Sequence, residues 1–416
     1  MNVLSKTDPQ LAGLIEQEVQ RQSNTLELIA SENHTSPGVI EAMGTLLTDK
    51  YAEGYPRKRW YEGCINADEV EQLAIDRCKE LFGVEHANVQ PHSGTSANTA
   101  VYLAALQPGA KIMGLNLAHG GHLSHGYDVN ISGKFYQAVN YGVDKETELL
   151  DMDQVRQQAL QEKPDLLVVG ASAYPRKIDF EAFGSIAREI GCPMLSDIAH
   201  IAGLVAAKVH PDPAAHSDFI TTTTHKTLRG PRGGVVMCTE QWAKKIDSAV
   251  FPGTQGGPLV HVIAAKATAF HEALQPAFRD YSQKVIDNCK ILAEALLEMG
   301  WRLVSGGTDN HLLLIDLRSR FEELTGKDAA AWLSSASIIA NKNTVPFETR
   351  SPFKASGVRI GTPAATSRGM GGEEMKKIAA WVDTVLTSGG DEAILQKVGQ
   401  EVQATCKQFP LPALQG

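Results

Sequence analysis

The most informative part of the sequence is Thr221-Thr222-Thr223-Thr224-His225-Lys226-Thr227, which continues into Leu228-Arg229-Gly230-Pro231-Arg232-Gly233-Gly234. It places one lysine among threonines and a histidine, between a short β-like run at 218–220 and a glycine-rich turn. A lysine held at the end of a strand can lose its proton and form an imine with an aldehyde cofactor. The stretch therefore predicts a cofactor-binding lysine, Lys226, at the edge of a sheet.

The segments before this stretch alternate between short apolar runs and helical patterns, as in a mostly parallel sheet covered by helices. The predicted strands are 87–90, 111–115, 166–170, 193–196, 219–222, 234–238, 301–305 and 311–317. The predicted helices are 8–21, 67–82 (capped by Asn66), 96–106, 151–162, 179–190, 258–272, 278–299 and 372–387. The fold class is therefore α/β, with an N-terminal arm and large sheet domain at 1–280 and a smaller α+β domain at 281–416.

The composition and charge indicate a soluble protein and give little support for binding to nucleic acid or membranes. The chain has 416 residues, of which 43% are hydrophobic, and a net charge of −9, which gives no support for a nucleic-acid or acidic-membrane surface. Six cysteines without CxxC spacing suggest reduced thiols. Residues 1–8 contain no apolar signal core, and no apolar run approaches the ~20 residues that span a bilayer. We therefore expect a soluble, cytoplasmic protein.

Two further segments follow predicted strands and should reach the same edge of the sheet as Lys226. Ser93-Gly94-Thr95 lies between a strand and a helix, where backbone N–H groups and hydroxyls can bind an anion such as phosphate. Asp197 follows the strand at 193–196, and a carboxylate there could keep the ring nitrogen of a pyridine cofactor protonated. Taken alone, either segment also suits an ordinary turn or helix cap.

Other polar residues are candidates for the same site. Residues 119–125 contain three histidines at a spacing that suggests a metal, but no fourth ligand with suitable spacing is evident, so an imidazole stacked on a cofactor ring is favoured. Glu53 lies in an aromatic, glycine-containing loop and could transfer protons, or could be a solvated loop acid. Arg359 and Arg368 flank the turn at 361–363, and either could bind the carboxylate of an amino acid.

Several strings along the chain occur together and in order: Leu28-Ile29-Ala30-Ser31-Glu32-Asn33, Lys50-Tyr51-Ala52-Glu53-Gly54-Tyr55-Pro56, Asn88-Val89-Gln90-Pro91-His92-Ser93-Gly94, the stretch 221–234, and Arg359-Ile360-Gly361-Thr362-Pro363. Over residues 8–387 the chain resembles the serine hydroxymethyltransferase family. The resemblance implies a fold-type I enzyme whose large domain has a mostly parallel sheet of the seven-stranded type. It also implies dependence on pyridoxal 5′-phosphate and a homodimer, or a tetramer, with shared active sites. It also implies one-carbon transfer from serine to tetrahydrofolate, giving glycine and 5,10-methylenetetrahydrofolate, in amino-acid and one-carbon metabolism.

The resemblance assigns cofactor-binding roles. Lys226 would hold pyridoxal phosphate as a covalent imine, Asp197 would pair with the ring nitrogen, and His122 would stack on the ring. The residues near the phenolic oxygen would be Ser172 and His200. The phosphate would be bound by Ser93, Gly94 and Thr95, joined by Gly256 of the partner subunit and Gly257 of the partner subunit. The lysine loop would be supported by His225 and Arg232.

The resemblance also assigns substrate-binding roles. The amino-acid carboxylate would be bound by Ser31 and Arg368. The wall of the folate site would be formed by Leu117, Gly121 and Leu123. Three further residues would reach the site from the second chain: Tyr51 of the partner subunit as a cofactor-binding residue, and Glu53 of the partner subunit and Tyr61 of the partner subunit as substrate-binding and catalytic residues. Of these, Glu53 would exchange a proton near the hydroxymethyl group and folate.

The sequence departs from the family pattern in the loop at 54–64. The family commonly has glycine at the positions of Arg57 and Glu62, and an aromatic residue at the position of Asn66. Thr95-Ser96 also replaces the more usual Ser-Gln. If the two glycines adopt positive φ in the family, this loop must be reshaped here. Because the loop borders the hydroxymethyl and folate side, these changes bear most on the choice of substrate.

Two alternatives to serine–glycine transfer therefore stay open. One keeps the cofactor site and changes the amino acid, as in a hydroxymethyltransferase for α-methylserine and D-alanine or a folate-independent aldolase for β-hydroxy amino acids. The other is a non-catalytic descendant of the fold, such as an RNA binder. The second is disfavoured because Lys226 and Asp197 are both present and the net charge is acidic.

Overall fold

The computed structural model describes residues 3–415. The fifteen strands of this part of the chain are β1 (Leu26–Glu27), β2 (Gly54–Tyr55), β3 (Lys58–Arg59), β4 (His86–Asn88), β5 (Lys111–Leu115), β6 (Gln137–Tyr141), β7 (Leu166–Val169), β8 (Met194–Asp197), β9 (Phe219–Thr223), β10 (Gly234–Cys238), β11 (Arg302–Leu303), β12 (Leu312–Asp316), β13 (Ile338–Ile339), β14 (Asn341–Asn343) and β15 (Gly357–Gly361).

The α-helices of the same part of the chain are α1 (Leu4–Thr7), α2 (Pro9–Asn24), α3 (Pro37–Met43), α4 (Ile65–Phe82), α5 (Gly94–Ala105), α6 (Ile131–Phe135), α7 (Met152–Glu162), α8 (Phe180–Ile190), α9 (Ala202–Ala206), α10 (Ala243–Ser248), α11 (Val260–Ala273), α12 (Pro276–Glu298), α13 (Gly326–Ser335), α14 (Pro363–Ser367), α15 (Gly372–Thr387) and α16 (Glu392–Gln408). None of the helices described at 3–415 is long and apolar enough to cross a bilayer.

The largest sheet has seven strands in the order β4-β10-β9-β8-β7-β5-β6. β6, β5, β7, β8 and β9 are mutually parallel, whereas β10 is antiparallel to both β9 and β4. Buried apolar side chains cover both faces of these strands. This confirms the α/β class and the mostly parallel, seven-stranded sheet. The carboxyl ends of β8 and β9 lie side by side, so the residues that follow them meet at one edge.

A smaller antiparallel sheet has the order β11-β12-β15-β14. Its core includes Leu313, Ile315 and Val358 with side chains of α12, α15 and α16. Leu26 and Leu28 of the N-terminal segment also belong to this core, and β1 pairs with β13 in parallel. The N-terminal arm therefore packs on the C-terminal part of the chain.

Helix α12 passes through the boundary predicted between residues 280 and 281. Phe278 and Val285 pack in the core of the large sheet, whereas Leu292 and Leu296, further along the same helix, pack in the core of the small sheet. The division into 1–280 and 281–416 stays a prediction, with one continuous helix joining its two parts.

Several element boundaries differ from those predicted. Helix α4 begins at Ile65 with Cys64 at its N-cap and without a side-chain cap, so the cap assigned to Asn66 is wrong. It ends at Gly83 in the left-handed conformation, as predicted. Strand β6 and helix α16 were not predicted.

In the loop at 54–64, the residue at position 57, where the family commonly has glycine, adopts a left-handed backbone conformation although it is an arginine. Arg57 has φ 63°, whereas Glu62 is not among the non-glycine residues with positive φ. The N–H of Arg57 donates to Asp68 Oδ2 at 2.9 Å, which holds this turn against α4. The loop thus accommodates Arg57 at the cost of about 1 kcal/mol of backbone strain.

We expect Arg57→Gly to be more stable than Arg57→Ala by about 1 kcal/mol, because only glycine relieves the left-handed strain. Both variants remove the exposed contact between Arg57 and Glu69, so the comparison isolates the backbone. Urea unfolding of the two proteins at equal concentration measures the difference. A glycine variant no more stable than the alanine variant would show that position 57 is unstrained.

Candidate active site

A cavity of about 270 Å³ lies at the carboxyl edge of the large sheet. It is formed by segments that follow β4, β7, β8 and β9, as expected for a parallel sheet. The predicted cofactor residues that line it are Ser93, Gly94, Thr95, His122, Ser172, Asp197, His200, His225, Lys226 and Arg232. Ten residues that were assigned to the cofactor from the sequence therefore lie around one cavity.

Lys226 follows β9 and lines this cavity. Burial lowers the pKa of its ammonium to about 8, even though the charge of Asp197 opposes that shift. Its carbonyl accepts hydrogen bonds from Asn33 Nδ2 at 2.9 Å and from the N–H of Arg229 at 3.0 Å, which fix the turn. At this pKa about half of the amine is uncharged at pH 8, in the form that attacks a carbonyl carbon.

Lys266 on α11 is a second buried lysine, and burial lowers its pKa to about 7. Its Nζ donates to the carbonyl oxygens of Val89, Pro91 and Gly234 at 2.6, 3.1 and 2.8 Å. Lys266 lines neither the cavity nor the cleft next to it. Its amine holds together the segments beneath the Ser93 turn. Lys226, although its pKa is the higher of the two, is therefore the one of these two lysines that lines the cavity.

Asp197 ends β8 and accepts three hydrogen bonds. Its Oδ2 accepts from His125 Nε2 and from Asn98 Nδ2, both at 2.8 Å, and its Oδ1 accepts from the N–H of Ala199 at 3.0 Å. Burial would raise the pKa of Asp197, but His125, His122 and Asn98 outweigh it and hold the pKa well below its usual range. Asp197 therefore stays ionised and can keep a neighbouring ring nitrogen protonated.

The segment at 93–96 has the helix N-terminus that the predicted anion site requires. Ser93 is the N-cap of α5, and its hydroxyl accepts from the N–H of Ser96 at 3.1 Å. The first turn of a helix leaves its N–H groups without intrahelical acceptors, and those of Gly94 and Thr95 are in this position. A side chain at Gly94 would meet Thr223 at 2.8 Å, so the backbone approaches β9 closely here.

The imidazole of His122 lines the cavity next to Asp197. Its Nδ1 accepts from the N–H of Ser124 at 3.2 Å and lies 2.7 Å from the hydroxyl of the same residue. Burial, together with the charge of His125, lowers the pKa of His122 to about 4. His122 is therefore neutral at physiological pH, as a ring that stacks on a protonated pyridine should be.

His122, His125 and Asp197 are also the group, among residues 3–415, that could hold a metal ion. One ligand atom from each lies within 4.8 Å of the others. However, Asp197 Oδ2 and His125 Nε2 already form a 2.8 Å hydrogen bond. This hydrogen bond fixes the orientation of the Asp197 carboxylate.

A wider cleft of about 820 Å³ adjoins the cavity. His122, Ser172, His200 and Lys226 line both spaces, so a molecule in the cleft can reach the lysine. The predicted substrate-binding residues that line the cleft are Ser31, Leu117, Gly121 and Leu123. Gly121 allows close packing, because a side chain there would lie 2.0 Å from the carbonyl oxygen of Leu115.

The two candidate arginines have different surroundings. Arg359 on β15 lines the cleft, and its guanidinium donates to the carbonyl of Ser172 at 2.6 Å and to Asn341 Oδ1 at 3.2 Å. It is 9% exposed, and no carboxylate of residues 3–415 lies within ion-pair distance of it. Burial lowers its pKa to about 10. A buried cation without a partner is suited to an anionic ligand.

Arg368 lies outside the cleft, which corrects its assignment to the substrate carboxylate. Its guanidinium donates to five carbonyl oxygens, at 2.6 to 3.3 Å. These acceptors belong to the end of α2 and to the C-terminal segment: Gln22, Ser23, Thr25, Cys406 and Phe409. Its donors are thus used within the fold, where they join the two ends of the chain.

The remaining predicted residues form a second cluster on the surface of the chain, which we term the Glu53 cluster: Tyr51, Glu53, Tyr61, Gly256 and Gly257. Tyr51 Oη donates to Glu53 Oε1 at 3.3 Å, and the rings of Tyr51 and Tyr61 are 5.2 Å apart. An added Cβ at Gly256 would lie 3.2 Å from Glu53 Oε1. None of the five lines the cavity or the cleft of the same chain.

Sequence reasoning missed His125 and Asn98, which orient Asp197. Asn98 is 1% exposed and bridges Asp197 to Ser124, while its Oδ1 accepts from Thr221 Oγ1 at 2.6 Å. In the sequence, the spacing of His122 and His125 suggests only a metal site. Only the fold reveals that the second imidazole reaches the carboxylate at 197.

A comparison with known families agrees with this site. The family model described as "Serine hydroxymethyltransferase" matches residues 4–382. The matched range contains the cavity, the cleft and the Glu53 cluster.

Proposed function

Because the chain belongs to the serine hydroxymethyltransferase family, we propose that it transfers the hydroxymethyl group of serine reversibly to tetrahydrofolate, giving glycine and 5,10-methylenetetrahydrofolate. Members of this family are transferases that depend on pyridoxal phosphate. One observation carries the proposal: Lys226, Asp197 and the Ser93 turn share a cavity that opens onto a cleft holding the unpaired Arg359.

The residues of the cavity fit pyridoxal phosphate. Lys226 provides an amine with a lowered pKa, Asp197 provides a carboxylate that stays ionised, and Ser93-Gly94-Thr95 provides N–H groups and hydroxyls for a phosphate. When bound there, the cofactor withdraws electrons from the bond that breaks at the α-carbon of the amino acid. His122 and His200 are the imidazoles that would face its ring.

We assign the carboxylate of the amino acid to Arg359. Its guanidinium is fixed by Ser172 and Asn341, and it retains donors that have no acceptor in the described chain. Ser31 lines the same cleft and is the second candidate donor. A carboxylate held by a planar guanidinium would orient the α-carbon toward Lys226.

Tetrahydrofolate is proposed to occupy the outer part of the cleft, against Leu117, Gly121 and Leu123. The cleft has the volume of a site for a ligand of drug-like size, at about 820 Å³. Leu123 is 47% exposed, so an apolar surface is available for a flat ring system. Folate would thereby be brought beside the amino acid bound to Arg359.

We also propose a homodimer in which Glu53 acts in the site of the second chain. Large apolar side chains are exposed over the first third of the chain, among them Leu14 at 56%, Leu46 at 85% and Trp60 at 75%. Leu11, Leu14 and Ile15 lie on one side of α2 and are all exposed, so a second copy would bury them. The Glu53 cluster lies in the same region.

We expect Glu53→Gln to retain pyridoxal phosphate but to lose about 10²-fold or more of its folate-dependent turnover of serine, because the amide cannot exchange a proton. Steady-state rates with saturating serine and tetrahydrofolate measure the loss, and the visible absorbance of the cofactor confirms binding. Glu80→Gln on the exposed face of α4 is the control and should retain full turnover. Normal turnover by Glu53→Gln would remove this carboxyl from the mechanism.

Co-expression of Glu53→Gln with Lys226→Ala tests whether the site is shared. Each variant alone should be inactive, but half of the randomly formed dimers would be mixed and would contain one intact site, restoring about a quarter of the activity. If Glu53 and Lys226 acted within one chain, the mixed dimers would have no intact site, and activity would not return.

A second candidate activity uses another amino acid with the same cofactor site. Arg57 and Glu62 add charged side chains to the loop at 54–64, which begins directly after Glu53. Rates with serine and with α-methylserine, each with and without tetrahydrofolate, separate the candidates. A higher specificity constant for α-methylserine would favour the second, and turnover that is independent of folate would contradict the transferase.

A further inference from the structure

Two buried histidines from different sheets meet beside the cofactor cavity. His200 follows β8 and lines both the cavity and the cleft, and His311 precedes β12 of the small sheet. They are 5% and 0% exposed. His200 Nδ1 lies 3.3 Å from His311 Nε2, and the rings are tilted by 32°. His311 was not among the residues singled out from the sequence.

Both imidazoles are neutral at physiological pH. Burial lowers the pKa of His311 to about 3 and that of His200 well below its usual range. The positive charges of Lys226 and Arg359 lower both further. Because each neutral imidazole has one N–H and one bare nitrogen, one ring must donate to the other across the 3.3 Å contact.

The second nitrogen of His311 decides the direction of this hydrogen bond. His311 Nδ1 is buried and has no hydrogen-bond partner. A buried N–H without an acceptor is rarer and costlier than a bare acceptor nitrogen, so the proton of His311 belongs on Nε2. Nε2–H then donates to His200 Nδ1, and the proton of His200 must be on its own Nε2.

We propose that His311 is a positioning residue that holds His200 in its Nε2–H tautomer, so that His200 presents a hydrogen-bond donor to the cavity. His200 Nε2 is on the ring edge away from His311 and is not among the buried nitrogens without a partner. Its N–H would serve the ring oxygen of pyridoxal phosphate, whose negative charge a donor stabilises. The tautomer rests on the contact and on the unpartnered Nδ1 of His311, whereas the role toward the cofactor rests on the proposed function.

Nitrogen NMR of the holoenzyme labelled with ¹⁵N-histidine tests the tautomer directly. Couplings between each ring nitrogen and the ring carbon-bound protons distinguish a protonated from a bare nitrogen, and the His200→Gln spectrum assigns the signals. We expect His200 protonated at Nε2 and bare at Nδ1 between pH 6 and 8 (about one unit on either side of neutrality). His200 protonated at Nδ1 would overturn the proposal, whether or not the enzyme transfers hydroxymethyl groups.

Variants of His311 test its control over His200. His311→Leu should let the proton of His200 redistribute to Nδ1 and weaken pyridoxal phosphate binding about tenfold, the value of one hydrogen bond to a charged group. His311→Gln offers an amide N–H in place of Nε2–H and should restore the Nε2–H signal and most of the affinity. His210→Leu is the control, since His210 is equally buried but lines neither space. A His200 signal unchanged in His311→Leu would contradict the positioning role.

Discussion

Arg359→Ala should raise the Michaelis constant for serine by about 10²-fold or more. The guanidinium is buried, it has no carboxylate partner among residues 3–415, and it faces the cleft that Lys226 also lines. Removing one partner of a buried charged pair costs ~3 kcal/mol or more, which corresponds to that change in affinity. Cofactor binding should be retained, because Arg359 lies outside the cavity. Steady-state kinetics over a wide range of serine concentrations measures the effect.

Arg368→Ala is the matched control for this experiment. It removes a guanidinium that donates to five carbonyl groups within the fold, so it should lower the unfolding temperature and leave the Michaelis constant of the folded enzyme unchanged. A large rise for Arg368→Ala with none for Arg359→Ala would return the carboxylate site to Arg368.

Asp197→Asn should lower the turnover number with serine by between about 10²- and 10⁴-fold, the equivalent of 3–5 kcal/mol for loss of one member of a buried charged pair. An asparagine is similar in size but cannot keep the ring nitrogen of the cofactor protonated. The protein should still bind pyridoxal phosphate through Lys226 and the Ser93 turn. Single-turnover rates with enzyme saturated by added cofactor separate this effect from weaker binding.

Asp316→Asn serves as the control for loss of a buried carboxylate. Asp316 is as shielded as Asp197, with 4% of its side chain exposed against 9%, but it pairs with Arg302 and Arg318 in the small sheet. That variant should lose stability and keep its turnover number. A turnover number for Asp197→Asn within about threefold of the wild-type value, a change below ~1 kcal/mol, would contradict the role assigned to Asp197.

The strands around the site could be predicted because they are buried on both faces and read as continuous apolar runs. β5 and β10 have the predicted bounds, β9 is longer by one residue at its end, and β8 is shifted by one residue at both ends. β6 escaped prediction because it is an edge strand with polar residues at two of its five positions. The residues placed at strand ends then followed from the topology of a parallel sheet.

The choice between Arg359 and Arg368 could not be made from sequence. Both residues flank the turn at 361–363, and both carry the same planar, positively charged guanidinium. The outcome depends on pairing in the small sheet: β15 lies between β12 and β14, which sets Arg359 against Asn341 and Ser172. Arg368 instead follows α14 and meets the C-terminal segment.

The apolar side of α2 illustrates a different limit. Its periodicity predicts an amphipathic helix, and the helix is present at Pro9–Asn24, yet Ala12 is the one buried residue of this helix. A pattern of apolar residues indicates that a face is covered, but it does not distinguish the same chain from a second copy. The same ambiguity applies to the exposed Glu53 cluster.

The proposed function requires Lys226, and not the more deeply buried Lys266, to carry the cofactor. Sodium borohydride reduction of the holoenzyme, followed by digestion and mass spectrometry, locates the lysine bonded to the carbonyl carbon of pyridoxal phosphate. We expect the pyridoxyl group on Lys226 and an unmodified Lys266, with the visible absorbance lost in Lys226→Ala. A pyridoxyl group on Lys266, or no labelled lysine in protein saturated with the cofactor, would contradict it.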